Sequence, residues 1–201
     1  MKKSRKQRTR KVILLGEPVL QAVARPIPEI NREWVQTLAD QLLATCKKAK
    51  GMGIAAPQIG ESVQMFVVAS KPNERYPEAP LMKPTVMINP RITARSTTFE
   101  EDWEGCLSIP GIRALVFRHS SVTVSYEGRD GVEHTGAVFH GFLARVIQHE
   151  YDHLNGIVFL DHVTDTRKMM SEQAYRDMME RKMEAAAKEK PGKKKTGRKK
   201  K

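Results

Sequence analysis

Cysteine is scarce: the chain of 201 residues holds two, Cys46 and Cys106. Two cysteines cannot build the disulfide framework of a small secreted domain. In a reducing compartment a thiol serves instead as a packed core group, a metal ligand or a nucleophile. Long apolar runs are also missing. The longest aliphatic run near the N-terminus is Val12-Ile13-Leu14-Leu15, far short of a bilayer span or a signal-peptide core. A cytoplasmic protein without membrane contact is therefore expected. No internal repeat is visible. What is present fits one globular domain: hydrophobic residues make up 40% and charged residues 29%, which excludes a largely disordered chain.

Acid is absent from residues 1–11, which hold seven Lys/Arg, and nearly absent from 188–201, where nine Lys/Arg face only Glu189. The net charge of +12 lies in these two ends, because residues 12–187 carry 19 bases against 22 acids. Basic tails act at nucleic-acid or anionic surfaces through counterion release and steering, or simply solubilise. The expected organisation is a basic N-terminal tail at 1–11, a single domain at 12–188 and a disordered Lys-rich tail at 189–201.

Periodicity places three helices. Asn31 stands where it can cap a helix to about Lys50, with Trp34, Leu38, Leu42 and Cys46 four apart; Cys46 then reads as a core thiol. A second helix is predicted over 141–155, ended by Gly156. It has two adjacent apolar stripes, so it should be covered on most sides. A third, charged helix is predicted over 165–188, with Met169, Met170, Met178, Met179 and Met183 as a partial apolar face. Strands are predicted at 63–69, at 86–92 interrupted by Pro90, and at 112–117, 121–126 and 133–139, with a hairpin turn at 128–131. Four prolines make 71–84 an irregular loop. The fold class expected is α+β, with antiparallel sheets packed around the central second helix, an N-terminal helix and a C-terminal helix.

Three segments carry chemistry. His149-Glu150-Tyr151-Asp152-His153 is an HExxH sequence on the second helix. Histidines at i and i+4 share one face and can chelate one divalent ion, with the glutamate beside it free to move protons. A tetrahedral catalytic site needs a third ligand and an open position. The usual downstream histidine position holds Phe159, which cannot coordinate. Glu172 lies in the charged third helix. Cys106, in Glu104-Gly105-Cys106-Leu107-Ser108, is preferred as the third ligand, since a thiolate binds strongly and Gly105 allows close backbone approach. The third segment, GMGIAAPQ at 51–58, has little side-chain bulk, and Gln58 offers an amide donor for an oxyanion. It lacks the Lys and Ser/Thr of a phosphate-binding loop, and taken alone it reads as a tight turn.

GMGIAAPQ (51–58), EGCLS (104–108) and QHEYDH (148–153) together, in this order, resemble the peptide deformylase family. The likeness runs from about Ile13 to the third helix. It departs from the family pattern at Ile54, where Leu is usual, and at Glu17, where Asp is usual. The resemblance implies a hydrolase that removes the formyl group from N-terminal N-formylmethionine of nascent polypeptides and releases formate. By the same resemblance, Cys106, His149 and His153 would hold the metal, and Glu150 would be general base and acid toward a metal-activated water. Gln58 and the Leu107 N–H would bind the oxyanion. Met52, Gly53 and Gly105 would line or hydrogen-bond the peptide, and Arg113, Phe142 and Val146 would shape the methionine pocket. The implied cofactor is one divalent ion, Fe2+ in the cell, with Zn2+ or Ni2+ able to substitute. A monomer acting at the ribosome through its basic C-terminal segment is expected. The competing readings are a zincin-like metallopeptidase and a non-catalytic ribosome- or RNA-binding relative.

Overall fold

The computed structural model describes residues 8–189. Residues 1–7 and 190–201, most of the two expected tails, lie outside the described residues. The elements are α1 (Glu33–Lys48), β1 (Gly53–Ala55), β2 (Met65–Val68), β3 (Thr85–Arg95), β4 (Phe99–Cys106), β5 (Ile109–His119), β6 (Ser121–Glu127), β7 (Glu133–His140), α2 (Gly141–Leu154), β8 (Met169–Ser171) and α3 (Glu172–Glu189). One sheet has five strands in the order β1-β2-β3-β6-β7 and the other three in the order β4-β5-β8. All of these strands pair antiparallel.

The larger sheet lies between two helices, and the alternation of side chains along a strand explains why. In β2, Met65 and Val67 join a core with Leu38, Leu42 and Cys46 of α1. Their neighbours Phe66 and Val68 join another with Ala144, Ile147 and Leu154 of α2. β2 is thus buried on both faces and reads as a short continuous apolar run. A third cluster, with Ala114, Val116, Val158 and Phe159, underlies the smaller sheet.

Several elements differ from the sequence reading. Pro90 does not interrupt its strand: β3 continues to Arg95 through a register shift between Ile88 and Arg91. Asn89 takes the left-handed conformation there (φ 48°), which Asn tolerates. Its side chain exchanges two 2.8 Å hydrogen bonds with the Ile27 backbone. The third helix starts at Glu172, because residues 166–168 form a 3-10 turn and Met169–Ser171 pair with β5. Ser171 supplies the N-cap oxygen to Ala174 N–H at 3.1 Å. Met169 and Met170 therefore lie in a strand. On α1, Val35 and Ala39 fill the buried stripe and Trp34 is 46% exposed. β1, β4 and β8 carry no strand signal in the sequence; β4 is acid-rich and forms by pairing with β5, where its Glu104 meets the buried Arg118.

Candidate metal centre and cleft

α2 carries His149 and His153 one turn apart, their rings edge-on with centroids 5.1 Å apart. β4 brings Cys106 to the same place, at the end of a hairpin whose loop is Leu107-Ser108. The thiol Sγ lies 3.3 Å from His153 Nε2. One ligand atom each from Cys106, His149 and His153 lies within 4.8 Å of the others, the only such metal-capable group of three among the described residues. A thiol distant in sequence from the histidine pair thus meets it, which is the convergence the spacing alone could not establish.

The imidazole of His149 is held from behind. Its Nδ1 pairs with Glu104 Oε2 at 2.9 Å, leaving Nε2 as the ring nitrogen for the centre. Such outer partners fix the orientation of a ligating histidine. Glu104 is 4% exposed. It accepts both arms of Arg118, at 2.8 and 3.0 Å, and Nη1 of Arg145 at 2.8 Å. Burial alone would raise its pKa, but His149 and the Arg118 guanidinium outweigh burial and hold it well below the carboxylate range. Burial likewise opposes ionisation of Cys106, yet the two imidazoles bring its thiol well below an ordinary cysteine. Cys46 has no such neighbours; burial pushes it up to about 12, as befits a packed core thiol.

Glu150 is 4% exposed and its Oε2 has no hydrogen-bond partner among the described residues. Burial pushes its pKa up to about 7 against the pull of His149 and His153. An unpartnered buried carboxylate oxygen costs stability, and active sites are where such costs concentrate. Gly53 stands directly opposite: a Cβ there would lie 2.5 Å from Glu150 Oε1. Gln58 is fixed by accepting the Ala55 N–H on Oε1 at 2.8 Å. Its Nε2 faces the thiol of Cys106 and the hydroxyl of Ser108, each at 3.3 Å.

These groups line a cleft of about 350 Å³ that also takes in Met52, Gly105, Leu107, Arg113, Phe142 and Val146. His153 lies deeper, at 0% exposure. Arg113 is 2% exposed. Its guanidinium forks onto Glu172 at 2.6 and 3.3 Å and reaches the Tyr76 hydroxyl. A Cβ at Gly105 would lie 2.7 Å from Arg113 Nε, so glycine there lets β4 pass over the arginine. Tyr76 packs on Phe142, centroids 5.3 Å apart.

The family model for polypeptide deformylase matches residues 9–169. The chain belongs to the polypeptide deformylase family. A curated relative named peptide deformylase 2, from Nostoc sp., is 46% identical over 168 residues, 84% of this chain and 93% of the relative. Another of that name, from Shewanella oneidensis, is 41% identical over 162 residues, covering 81% and 86%. The fold resembles the Met-Ala-Ser-bound class I type b peptide deformylase of Acinetobacter baumannii. That match has TM-score 0.76 and 43% identity over 78% of this chain and 99% of the other. The Thermotoga maritima peptide deformylase matches with TM-score 0.69 and 30% identity, over 79% and 99%.

Peptide deformylase membership gives meaning to residues that sequence reasoning passed over. Glu104 stood inside a quoted motif without a role, yet it anchors His149. Arg118 and Arg145 gave no local signal, because buried arginines announce themselves only through partners distant in sequence. Tyr76 sat in a proline-rich loop, and Glu172, weighed as a metal ligand, pairs with Arg113 instead. Phe159, at the sequence position of a zincin-type third histidine, stacks beside His149 with centroids 6.2 Å apart and offers no donor atom.

Proposed function

We propose that this chain is a metal-dependent peptide deformylase. It hydrolyses the N-terminal formyl group of formyl-Met polypeptides and releases formate. The observation that carries this reading is the meeting of Cys106, His149 and His153 within 4.8 Å, beside the unpartnered Oε2 of Glu150. A thiolate and two imidazoles form a soft donor set, one sulfur with two nitrogens, that suits Fe2+, Zn2+ or Ni2+, and Fe2+ is the ion proposed for the cell. Bound there, the ion supplies Lewis acidity and makes a solvent nucleophile accessible at neutral pH.

The chain's own residues do the rest. β1 is the end strand of its sheet, so its outer edge offers Gly53 to an extended peptide, with Met52 lining the cleft just before it. Glu150 accepts a proton on a carboxylate oxygen and returns it to the departing amine, a task suited to a group poised near 7. Gln58 Nε2 and the Leu107 N–H donate to oxygen as negative charge develops on it. Phe142, Val146 and Arg113 bound the side of the cleft that would take the methionine, and Gly105 keeps it open. A formyl carbon bears only hydrogen, and the close approach of Glu150 to Gly53 leaves little room for a larger acyl group. The decisive experiment is metal analysis of anaerobically purified protein with formate release from formyl-Met-Ala. One divalent ion per chain and release from the formylated peptide alone are expected; cleavage of an unformylated peptide would establish the peptidase reading instead.

The protein is proposed to act as a monomer in the cytoplasm, docking at the ribosome through α3 and the basic segment after it. Among the described residues no helix is long and apolar enough to cross a membrane. Residues 190–201 lie outside the described residues, and ribosome co-sedimentation with and without them tests the docking.

A further inference from the structure

The aliphatic run Val12-Ile13-Leu14-Leu15 is anchored in an unusual way. Val12 packs on the core shared with α1, whereas Leu14 and Leu15 are 47% and 46% exposed. Burial of side chains does not hold that second half; its main chain does. The Ile13 N–H donates to the Gln58 carbonyl at 2.8 Å, and the Leu15 N–H donates to the Ser108 carbonyl at 2.9 Å. Gln58 and the Leu107-Ser108 loop are distant in sequence, and each carries one of the donors assigned above to the oxyanion. Two neighbouring N–H groups of one segment thus reach the two sources of those donors.

Both partners need this support. Gln58 lies in the 3-10 turn Ala56–Ile59, and the last carbonyls of a helical turn have no partner within it. The N-terminal segment supplies two: Ile13 to Gln58, and Arg10 Nη2 to the Ile59 carbonyl at 3.4 Å. Arg10 is itself tied to α1, its N–H donating to Thr45 Oγ1 at 2.9 Å. On the other side, Ser108 is fully buried. Its hydroxyl accepts from Gln58 Nε2 at 3.3 Å, and its N–H points at Cys106 Sγ at 3.4 Å. Among the described residues, none of 10–15 lines the cleft, so whatever they do for the reaction they do through these neighbours.

We propose that Ile13 and Leu15 are positioning residues for the oxyanion donors. Their N–H groups set the spacing between Gln58 and the Leu107-Ser108 loop, and through it the rate of the chemical step. The proposal rests on the deformylase reading and adds to it two residues that touch neither substrate nor metal. Donors aimed at an oxyanion act as charge develops. Displacing them lowers kcat and leaves KM nearly unchanged.

The test removes single N–H groups from the metal-loaded full chain by exchanging one residue for the matching α-hydroxy acid, which puts an ester oxygen in place of the N–H. Ester chains at Ile13, at Leu15 and at Leu14 are compared with wild type on formyl-Met-Ala, with kcat counted per bound metal. The Leu14 N–H donates to no group among the described residues, so its ester serves as the control. The Ile13 and Leu15 esters are each expected to lower kcat about three- to tenfold, the scale of one hydrogen bond, with KM and metal content unchanged. The Leu14 ester should match wild type. In a Gln58→Ala background the Ile13 ester should cost almost nothing further, since the donor it positions is gone. A merely structural bond would lower the denaturation midpoint and show no such coupling. Wild-type kcat in the Ile13 and Leu15 esters, or an Ile13 loss that persists in full without Gln58, would overturn the positioning role and leave the deformylase reading intact. Failure of the wild-type protein on formyl-Met-Ala would overturn that reading, and the positioning role with it.

Discussion

A methyl group added at Gly53 would lie 2.5 Å from Glu150 Oε1 and 2.7 Å from its Cγ. Both atoms belong to a side chain with little room to withdraw, since Glu150 is 4% exposed. Gly53→Ala is therefore expected to push the carboxylate aside, and a displacement near 1 Å costs about 10² in rate. Metal content should be unchanged, which separates a misplaced proton carrier from a damaged ligand set. Glu150→Gln keeps the shape and removes the proton acceptor. It should retain the metal and lower kcat by about 10²–10⁴; a kcat close to wild type would exclude Glu150 as the carrier. Cys106→Asp exchanges a soft ligand for a hard one. Metal bound per chain after dialysis should fall, and turnover with it.

At the scale of elements, Glu104 joins β4 to β5 through Arg118 and to α2 through Arg145 and His149. Arg118 also pairs with Asp152 of α2. The two strands and the helix that carry the centre are thus locked by one buried carboxylate. Glu104→Gln keeps the volume but leaves Arg118 and Arg145 short of negative charge, at a cost of about 3–5 kcal/mol. A large fall in the denaturation midpoint is expected, together with weaker metal retention as His149 loses its anchor. A stable variant that still holds its metal would mean the guanidinia find other partners. This network marks the limit of what the sequence discloses. HExxH was legible because helical spacing puts both histidines on one face, and α2 begins at Gly141 and ends before Gly156 as periodicity and glycine placement imply. Cys106 was legible because a two-histidine half-site requires a third ligand. Glu104, Arg118 and Arg145 were not, because their meaning lies in pairing across β4, β5 and α2. β4 was illegible for a related reason. Its acids disfavour a strand locally, and the hairpin with β5 overrides them.

For the whole molecule, the larger sheet with α1 and α2 on its faces forms one cored body, whereas β8 and α3 attach through the smaller sheet. Arg113 is the principal clasp: at 2% exposure it holds Glu172 at the start of α3, and its guanidinium lies over the rings of Tyr76 and Tyr175. Burial alone would raise the Glu172 pKa, but the bond to Arg113 is stronger and the net shift is downward from 4.5. The sign of the pH effect follows from linkage. A carboxylate whose folded pKa is depressed adds stability that is complete above its unfolded value and is lost as pH falls through the folded one. The attachment of α3 should therefore be independent of pH near neutrality and weaken progressively below about 4.5. Glu172→Gln should remove that part of the acid dependence. It should also lower stability at pH 7 by about 1–3 kcal/mol, because buried Arg113 loses the charge of its partly exposed partner. Denaturation midpoints of the two proteins, measured from neutral to acid pH, should converge as Glu172 protonates in the wild type. Curves that stay parallel would show that the clasp contributes nothing through its charge, and that packing of the Tyr76 and Tyr175 rings alone holds α3 beside the cleft.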